Sequence, residues 1–210
     1  LYPTGGMTAL ISHLLSGLAF EDVPVHFESV IGPSEISNWD GPVFFLGHLS
    51  DIVPTHDLTH RGLYIIHIAL PKNSVGETDT FYLPEADYWF GRVSQPERFS
   101  NELTDDASDI LCIEIPEGRW GSNRDFLTEL DTIQSQLVSA SIIPPNTPIQ
   151  DAMQTFLPRV YPMYRKGWLH QWNAAMQAVS QMGNVLPIGR QGLFLHCNID
   201  QCVHIADEAV

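Results

Sequence analysis

The chain has 210 residues, 44% of them hydrophobic, which is enough for one large domain or two small ones. A formal net charge of -15 argues against a nucleic-acid backbone or an anionic lipid surface as partner, and no apolar run is long enough to span a membrane. Leu1-Tyr-Pro-Thr-Gly-Gly6 lacks the basic start and apolar core of a secretory signal, and a first residue that is Leu reads as a processed chain or a piece of a longer one.

In chain order, Thr8–Ala19 has Leu10, Leu14, Leu15 and Leu18 at helical spacing, with Thr8 as the expected cap after the Gly5-Gly6 turn. Val23–Val30 alternates as a half-buried strand would. Gly41–Leu49 holds the continuous apolar run Val43-Phe44-Phe45-Leu46, the pattern of a strand buried on both faces. Arg61–Leu70, Thr78–Leu83, Tyr88–Val93 and Ile110–Ile115 are further expected strands, the first followed by a turn at Pro71-Lys72-Asn73-Ser74. Short polar links between them predict an antiparallel layer.

A helix is expected from Asn123, capped by Ser122 or Asn123, with Phe126, Leu127, Leu130, Ile133 and Leu137 on one face and Pro144-Pro145 beyond it. Ile149–Leu157 reads as a short helix. The run Pro158-Arg-Val-Tyr161-Pro-Met-Tyr164-Arg-Lys-Gly167 is extended and places two tyrosines among three cations. Trp168–Met182 is a last long helix, ended by Gly183-Asn184.

Val185–Ile188 then meets Gly189-Arg190-Gln191-Gly192. A second apolar run follows, and Asn198 and Asp200 open a helically spaced segment (Ile199, Val203, Ala206, Ala209). Two readings stand for this stretch. One is a turn and a surface helix. The other is a cofactor cradle, because paired glycines admit a flat or phosphorylated ligand and a helix start offers unpaired N–H groups.

Other chemistries find little support. His56 and His60 have the i, i+4 spacing of a metal pair, but no Glu of the zincin type accompanies them and Pro54 disfavours a long helix, so no metal is expected. No Gly-x-Ser-x-Gly, P-loop or Gly-x-Gly-x-x-Gly occurs. Cys197, beside His196 on an expected strand, points away from it. Three cysteines with no CxxC pair, Cys112, Cys197 and Cys202, read as reduced thiols of a cytoplasmic protein.

Gly189-Arg190-x-Gly192-Leu-Phe194 followed by Asn198-Ile-Asp200 resembles the C-terminal flavin-binding segment of the FAD-dependent amine oxidase superfamily, which includes protoporphyrinogen oxidases and UDP-galactopyranose mutases. Tyr2-Pro-Thr-Gly5-Gly6-Met7 resembles that group's entry to the substrate region, and Tyr161-Pro-x-Tyr164 its cavity-lining element. Phe90-Gly91-Arg92 through Ser100 is similar to a stretch of the mutase-like branch.

The resemblance covers nearly all of the chain but only the later part of the family's length, without the dinucleotide-binding part. It implies a mixed α/β (α+β) fold, with residues 1–58 and 183–210 as the remnant of a Rossmann-like FAD-binding domain. Residues 59–182 would be a substrate domain with an antiparallel or mixed sheet. It further implies FAD contacts at Gly5, Gly6, Met7, Gly189, Arg190, Gly192, Asn198 and Asp200, and substrate contacts at Arg92, Tyr161 and Tyr164. The implied parent is an FAD-dependent oxidoreductase acting on a small-molecule substrate. The alternatives are a flavin-dependent nucleotide-sugar mutase and a non-catalytic interaction domain derived from such a flavoprotein. The chain alone would bind FAD weakly or not at all and be inactive, and a homo-oligomer is compatible with it.

Overall fold

The computed structural model describes residues 3–54, 58–100, 107–118 and 124–209. The fold is mixed α/β, an antiparallel five-stranded sheet and a two-stranded parallel sheet accompanied by helices. Two compact units divide the chain: residues 1–25 with 62–158, and residues 26–61 with 159–210.

The first unit contains helix α1 (Gly6–Phe20) and the sheet, which has the order β3-β4-β5-β2-β6. Its strands are β2 (His60–Pro71), β3 (Thr80–Tyr82), β4 (Arg92–Ser94), β5 (Ser108–Pro116) and β6 (Asp151–Pro162). The period-2 pattern sets the core. Tyr64, Ile66 and Ile68 of β2 pair with Ile115, Ile113 and Leu111 of β5, and all six are buried. Each such aliphatic side chain contributes roughly 1.5–3 kcal/mol on leaving water. Helix α3 (Leu130–Ser139) brings Ile133 and Leu137 to the same cluster, preceded by a 3-10 turn, Phe126–Glu129.

A charged cluster stands at one end of this core. Lys72 Nζ lies 3.0 Å from Glu97 and 3.4 Å from Asp109, and both carboxylates are buried. Burial alone would push the Asp109 carboxyl up. The N–H groups of Val75 and Asn73 and the Lys72 ammonium outweigh it and hold the group below the usual carboxylate range.

The second unit contains helix α2 (Pro33–Ser37), strand β1 (Val43–Phe45), helix α4 (Trp168–Ser180), strand β7 (Val185–Pro187), the one-turn helix α5 (Gly189–Gly192) and helix α6 (Ile199–Asp207). Strands β1 and β7 run parallel, with Phe44 opposite Leu186. Ala175 and Val179 of α4 pack with Ile36, Leu49, Ile52, Val53, Leu58 and Phe194 to form the core. The Asn184 carboxamide donates to the carbonyls of Ile36 (3.1 Å) and Trp39 (3.0 Å), fixing the loop before β1 to the turn before β7.

Several expectations are corrected. Val23–Val30 is not a strand: Pro24 removes a donor, Glu28 has φ 56°, and Val23, Val25, Phe27 and Val30 are exposed. Residues 149–157 are not helical but enter β6, where Ala152, Gln154 and Phe156 alternate with exposed neighbours. Leu193–Cys197 forms no strand, because α5 and Phe194, at φ 52°, turn the chain.

Thr8 does not cap α1. Gly5, at φ 77°, holds the N-cap position and Thr8 lies inside the helix. The 3-10 turn before α3 is capped by Asp125, whose side chain accepts from Leu127 N; Ser122 and Asn123 lie outside the described residues. The strand expected over Tyr88–Val93 shrinks to Arg92–Ser94. Phe44 and Leu46 are 43% and 61% exposed, so this run is open on one face and half-buried on the other, through Val43 and Phe45.

Candidate functional site

The second unit gathers most of the chemistry-bearing residues around Phe194. This side chain is buried, and its backbone is held at a positive φ by the turn that follows α5. Leu193 and Leu195 N–H groups donate to the carbonyls of Gly189 and Arg190, which closes that turn. Rings surround Phe194: His60 at 4.9 Å between centroids, Tyr164 at 5.9 Å and Trp168 at 6.4 Å. Tyr164 packs against Trp168 at 4.6 Å with the rings tilted, and His48 meets His60 edge-on at 4.7 Å.

The Gly189–Gly192 turn and the Tyr161–Tyr164 element meet here. Arg190 Nη1 donates to Cys197 O at 2.8 Å and Nη2 to Val160 O at 3.3 Å, while the guanidinium lies 5.4 Å from the Tyr161 ring. Tyr164 Oη accepts from His196 N at 2.7 Å and donates to Phe194 O at 3.4 Å. Arg190 and Tyr164 therefore clamp both sides of the loop that joins α5 to α6.

The glycines have separate reasons. A Cβ on Gly192 would stand 2.4 Å from Phe45 O, so only glycine lets α5 approach β1. Gly189 adopts φ 70° at the start of α5. Asn198 is the N-cap of α6 in a capping box with Gln201, and Asp200 is exposed in the first turn.

The remaining expected residues lie in the first unit. Gly5 and Gly6 turn the chain into α1 with φ 77° and 76°, and Gly5 N donates to Ser100 Oγ at 3.3 Å. Met7 is half-buried in the first turn of that helix. Arg92 reaches across the sheet to Glu114, with Nε 3.0 Å from Oε1. That ion pair occupies at least part of the charge assigned to a ligand.

Sequence reasoning weighed His60 only as half of a metal pair with His56 and missed its pairing with His48 and the part played by Gln191. Among the described residues, His48 Nδ1 and Thr59 Oγ1 are buried with no hydrogen-bond partner, while the buried His60 and Gln191 side chains lie within hydrogen-bonding reach of each other. Burial is the main cause that lowers His60 to about 4, helped by His48 and the Arg159 cation and opposed by Asp51 and a hydrogen bond with Gln191. His48 is lowered for the same first reason. Both imidazoles are therefore neutral at pH 7 and present hydrogen-bonding nitrogens without charge. Arg159 is held by Asp51 at 2.6 Å. The sequence signal was present in Gly47-His48 and Thr59-His60, but residues some distance apart in sequence become neighbours only through the fold.

Two hollows mark the surface of this unit. One, of about 320 Å³, is lined by Thr59, Arg165, Lys166, Gly167, Trp168 and Gln171. The other, of about 550 Å³, is lined mainly by apolar residues including Ile31, Ile36, Trp39 and Val43, and contains none of the expected site residues. Among the described residues no group of three His, Cys, Asp or Glu could hold a metal ion, and no helix is long and apolar enough to cross a membrane. His56 and Asp57 lie outside the described residues.

No protein-family model and no curated protein matches the sequence. Solved structures do match the fold. A crystal structure of reduced UDP-galactopyranose mutase aligns with a TM-score of 0.55 at 15% identity, over 65% of this chain and 29% of that one. A protein taken to be a protoporphyrinogen oxidase, from Exiguobacterium sp. 255-15, aligns with a TM-score of 0.50 at 13% identity, over 78% of this chain and 36% of that one. The chain thus spans about a third of the length of these structures, and what it shares with them is the fold.

Proposed function

We propose that the second unit carries the flavin-facing wall of an FAD-dependent oxidoreductase of the amine oxidase superfamily, with Tyr161 and Tyr164 beside a small-molecule substrate. The observation that carries this reading is the convergence on Phe194 of the Gly189–Gly192 turn, the Tyr161-Pro-x-Tyr164 element and a neutral histidine pair. The fit is chemical. An isoalloxazine ring is flat and uncharged, with hydrogen-bonding edges, and the unpartnered His48 Nδ1 and the neighbouring His60 and Gln191 side chains offer uncharged partners.

FAD, when bound, supplies the redox chemistry. The chain's own residues place it. Arg190 holds the turn through the Cys197 and Val160 carbonyls, and the aromatic group around Phe194 excludes water. Asp200, acidic and exposed at the start of α6, suits a ribityl hydroxyl better than a phosphate. Under this reading the cofactor domain draws on residues 26–58 and 183–210, within the second unit, while residues 1–25, also expected in it, cluster with residues 62–158 and residues 159–182 of the expected substrate domain cluster with the second unit. The bare outer face of the β1–β7 pair supports it, since parallel sheets are normally covered on both faces and here Phe44 and Leu186 are exposed.

A nucleotide-sugar mutase is the second reading. The hollow lined by Arg165 and Lys166 favours it, because those cations suit a diphosphate. Arg92, Arg159 and Arg190 already contact partners within the chain.

The chain has no Gly-x-Gly-x-x-Gly cradle, so by itself it is expected to bind FAD weakly or not at all. Titration of the chain with FAD, followed by flavin fluorescence, is expected to show saturable quenching only at high protein concentration, weakened several-fold by Arg190→Ala. Near-stoichiometric binding by the isolated chain, or quenching identical in the variant, contradicts the proposal.

A further inference from the structure

Cys197 and Cys202 carry no CxxC signature, yet the structure places their Sγ atoms 3.5 Å apart. The cause is local and follows from how α6 begins. Asn198 is its N-cap, and Asn198 N donates to Gln201 Oε1 at 2.8 Å within the capping box. Counted from that cap, Cys197 precedes it by one and Cys202 is the fourth residue of the helix. Side chains at these two positions pack together as a hydrophobic staple, which fixes the angle at which the chain enters the helix.

Two inert apolar groups would suffice for a staple. Here both are thiols, and both are free. Thiols held in contact by helix capping need little backbone movement to bond, provided that disulfide geometry is within reach. Cys202 is half-buried and so the accessible one, whereas Cys197 is buried. Burial, with Cys202 beside it, raises the Cys197 thiol.

We propose that Cys197 and Cys202 are a redox-active dithiol that closes to an intrachain disulfide when challenged by a low-molecular-weight disulfide such as oxidised glutathione. The Cys202 thiolate attacks one sulfur of the glutathione disulfide, breaks its S–S bond and expels one glutathione thiolate, leaving a mixed disulfide on Cys202. The Cys197 thiolate then attacks Cys202 Sγ, forms the Cys197–Cys202 bond and expels the second glutathione. Two protons leave the protein thiols and two are taken up by the departing thiolates, and two electrons pass from protein to glutathione. The covalent staple ties the first turn of α6 to Cys197, whose carbonyl receives Arg190 Nη1, so oxidation restrains the Arg190 turn. This site stands on the capping geometry alone and is independent of the flavin reading.

The test treats the folded chain with excess oxidised glutathione, removes it, and counts thiols by alkylation and intact mass. Of three cysteines, one is expected to remain alkylatable, with no glutathione mass retained, a cross-linked Cys197–Cys202 peptide and full reversal by a phosphine reductant. Cys112→Ser is expected to close the same bond. Cys197→Val, which keeps the apolar staple contact, is expected to stop at the glutathione adduct on Cys202. Three alkylatable thiols after treatment, or a lasting glutathione adduct on the unmodified sequence, overturns the proposal.

Discussion

His60 lies between the rings of His48 and Phe194, at 4.7 and 4.9 Å, and the desolvation of that position decides its charge. Its folded pKa of about 4 lies below the unfolded value of 6.5. The unfolded chain therefore binds the proton first, and the proton works against folding. Stability from this residue is fully present above pH 6.5 and is lost as pH falls from 6.5 through 4. The urea midpoint is expected to drop across that window, and His60→Gln to flatten the drop. An NMR titration in which the His60 imidazole protonates near pH 6.5 contradicts this account. Neutrality also fits the role proposed for the pair, because a charged imidazole beside the Arg159 cation would repel it.

At the scale of elements, the approach of α5 to β1 depends on one absent methyl. Gly192→Ala puts Cβ 2.4 Å from Phe45 O, a backbone atom that cannot swing away. The expected loss is about 2 kcal/mol, the usual size of a forced misfit in packed structure. Gly189→Ala meets nothing nearer than Leu46 Cδ2 at 3.9 Å and is expected to lose about 1 kcal/mol, through its φ of 70°. Chemical denaturation of both variants checks the order, and a Gly192→Ala chain as stable as the unmodified one contradicts it.

The same elements show what the sequence reveals. Helix α4 was legible because Trp168, Trp172, Ala175, Met176 and Val179 repeat at helical spacing, and β2 and β5 because their alternation is strong. The start of α6 was legible from Asn198. The first part of strand β6 was misread, since Ala152, Met153, Gln154 and Leu157 favour a helix and only pairing in the sheet holds them extended, whereas its end from Pro158 was read as extended. The alternation of Val23–Val30 failed for the opposite reason: a pattern without a partner strand makes no strand. The Cys197–Cys202 contact was hidden because staple geometry depends on where the helix begins, a boundary that spacing alone locates to within a residue or two.

Across the whole molecule, apolar residues remain uncovered in each unit. Ile11, Leu14 and Leu18 of α1 are exposed in the first, and Phe44, Leu46, Leu186, Ile199 and Val203 in the second. The flavin reading rests on the second unit, where turn, phenols and histidines share one aromatic centre.

The most direct test maps FAD onto the backbone. Amide chemical shifts of the isotope-labelled chain, recorded as FAD is added to millimolar levels, are expected to move at Gly189–Phe194, at Tyr161 and Tyr164, and at Asn198–Asp200. Amides of the first unit's core, such as Ile66 and Ile113, are expected to stay in place. Shifts confined to other segments, or none at saturation, contradict the account.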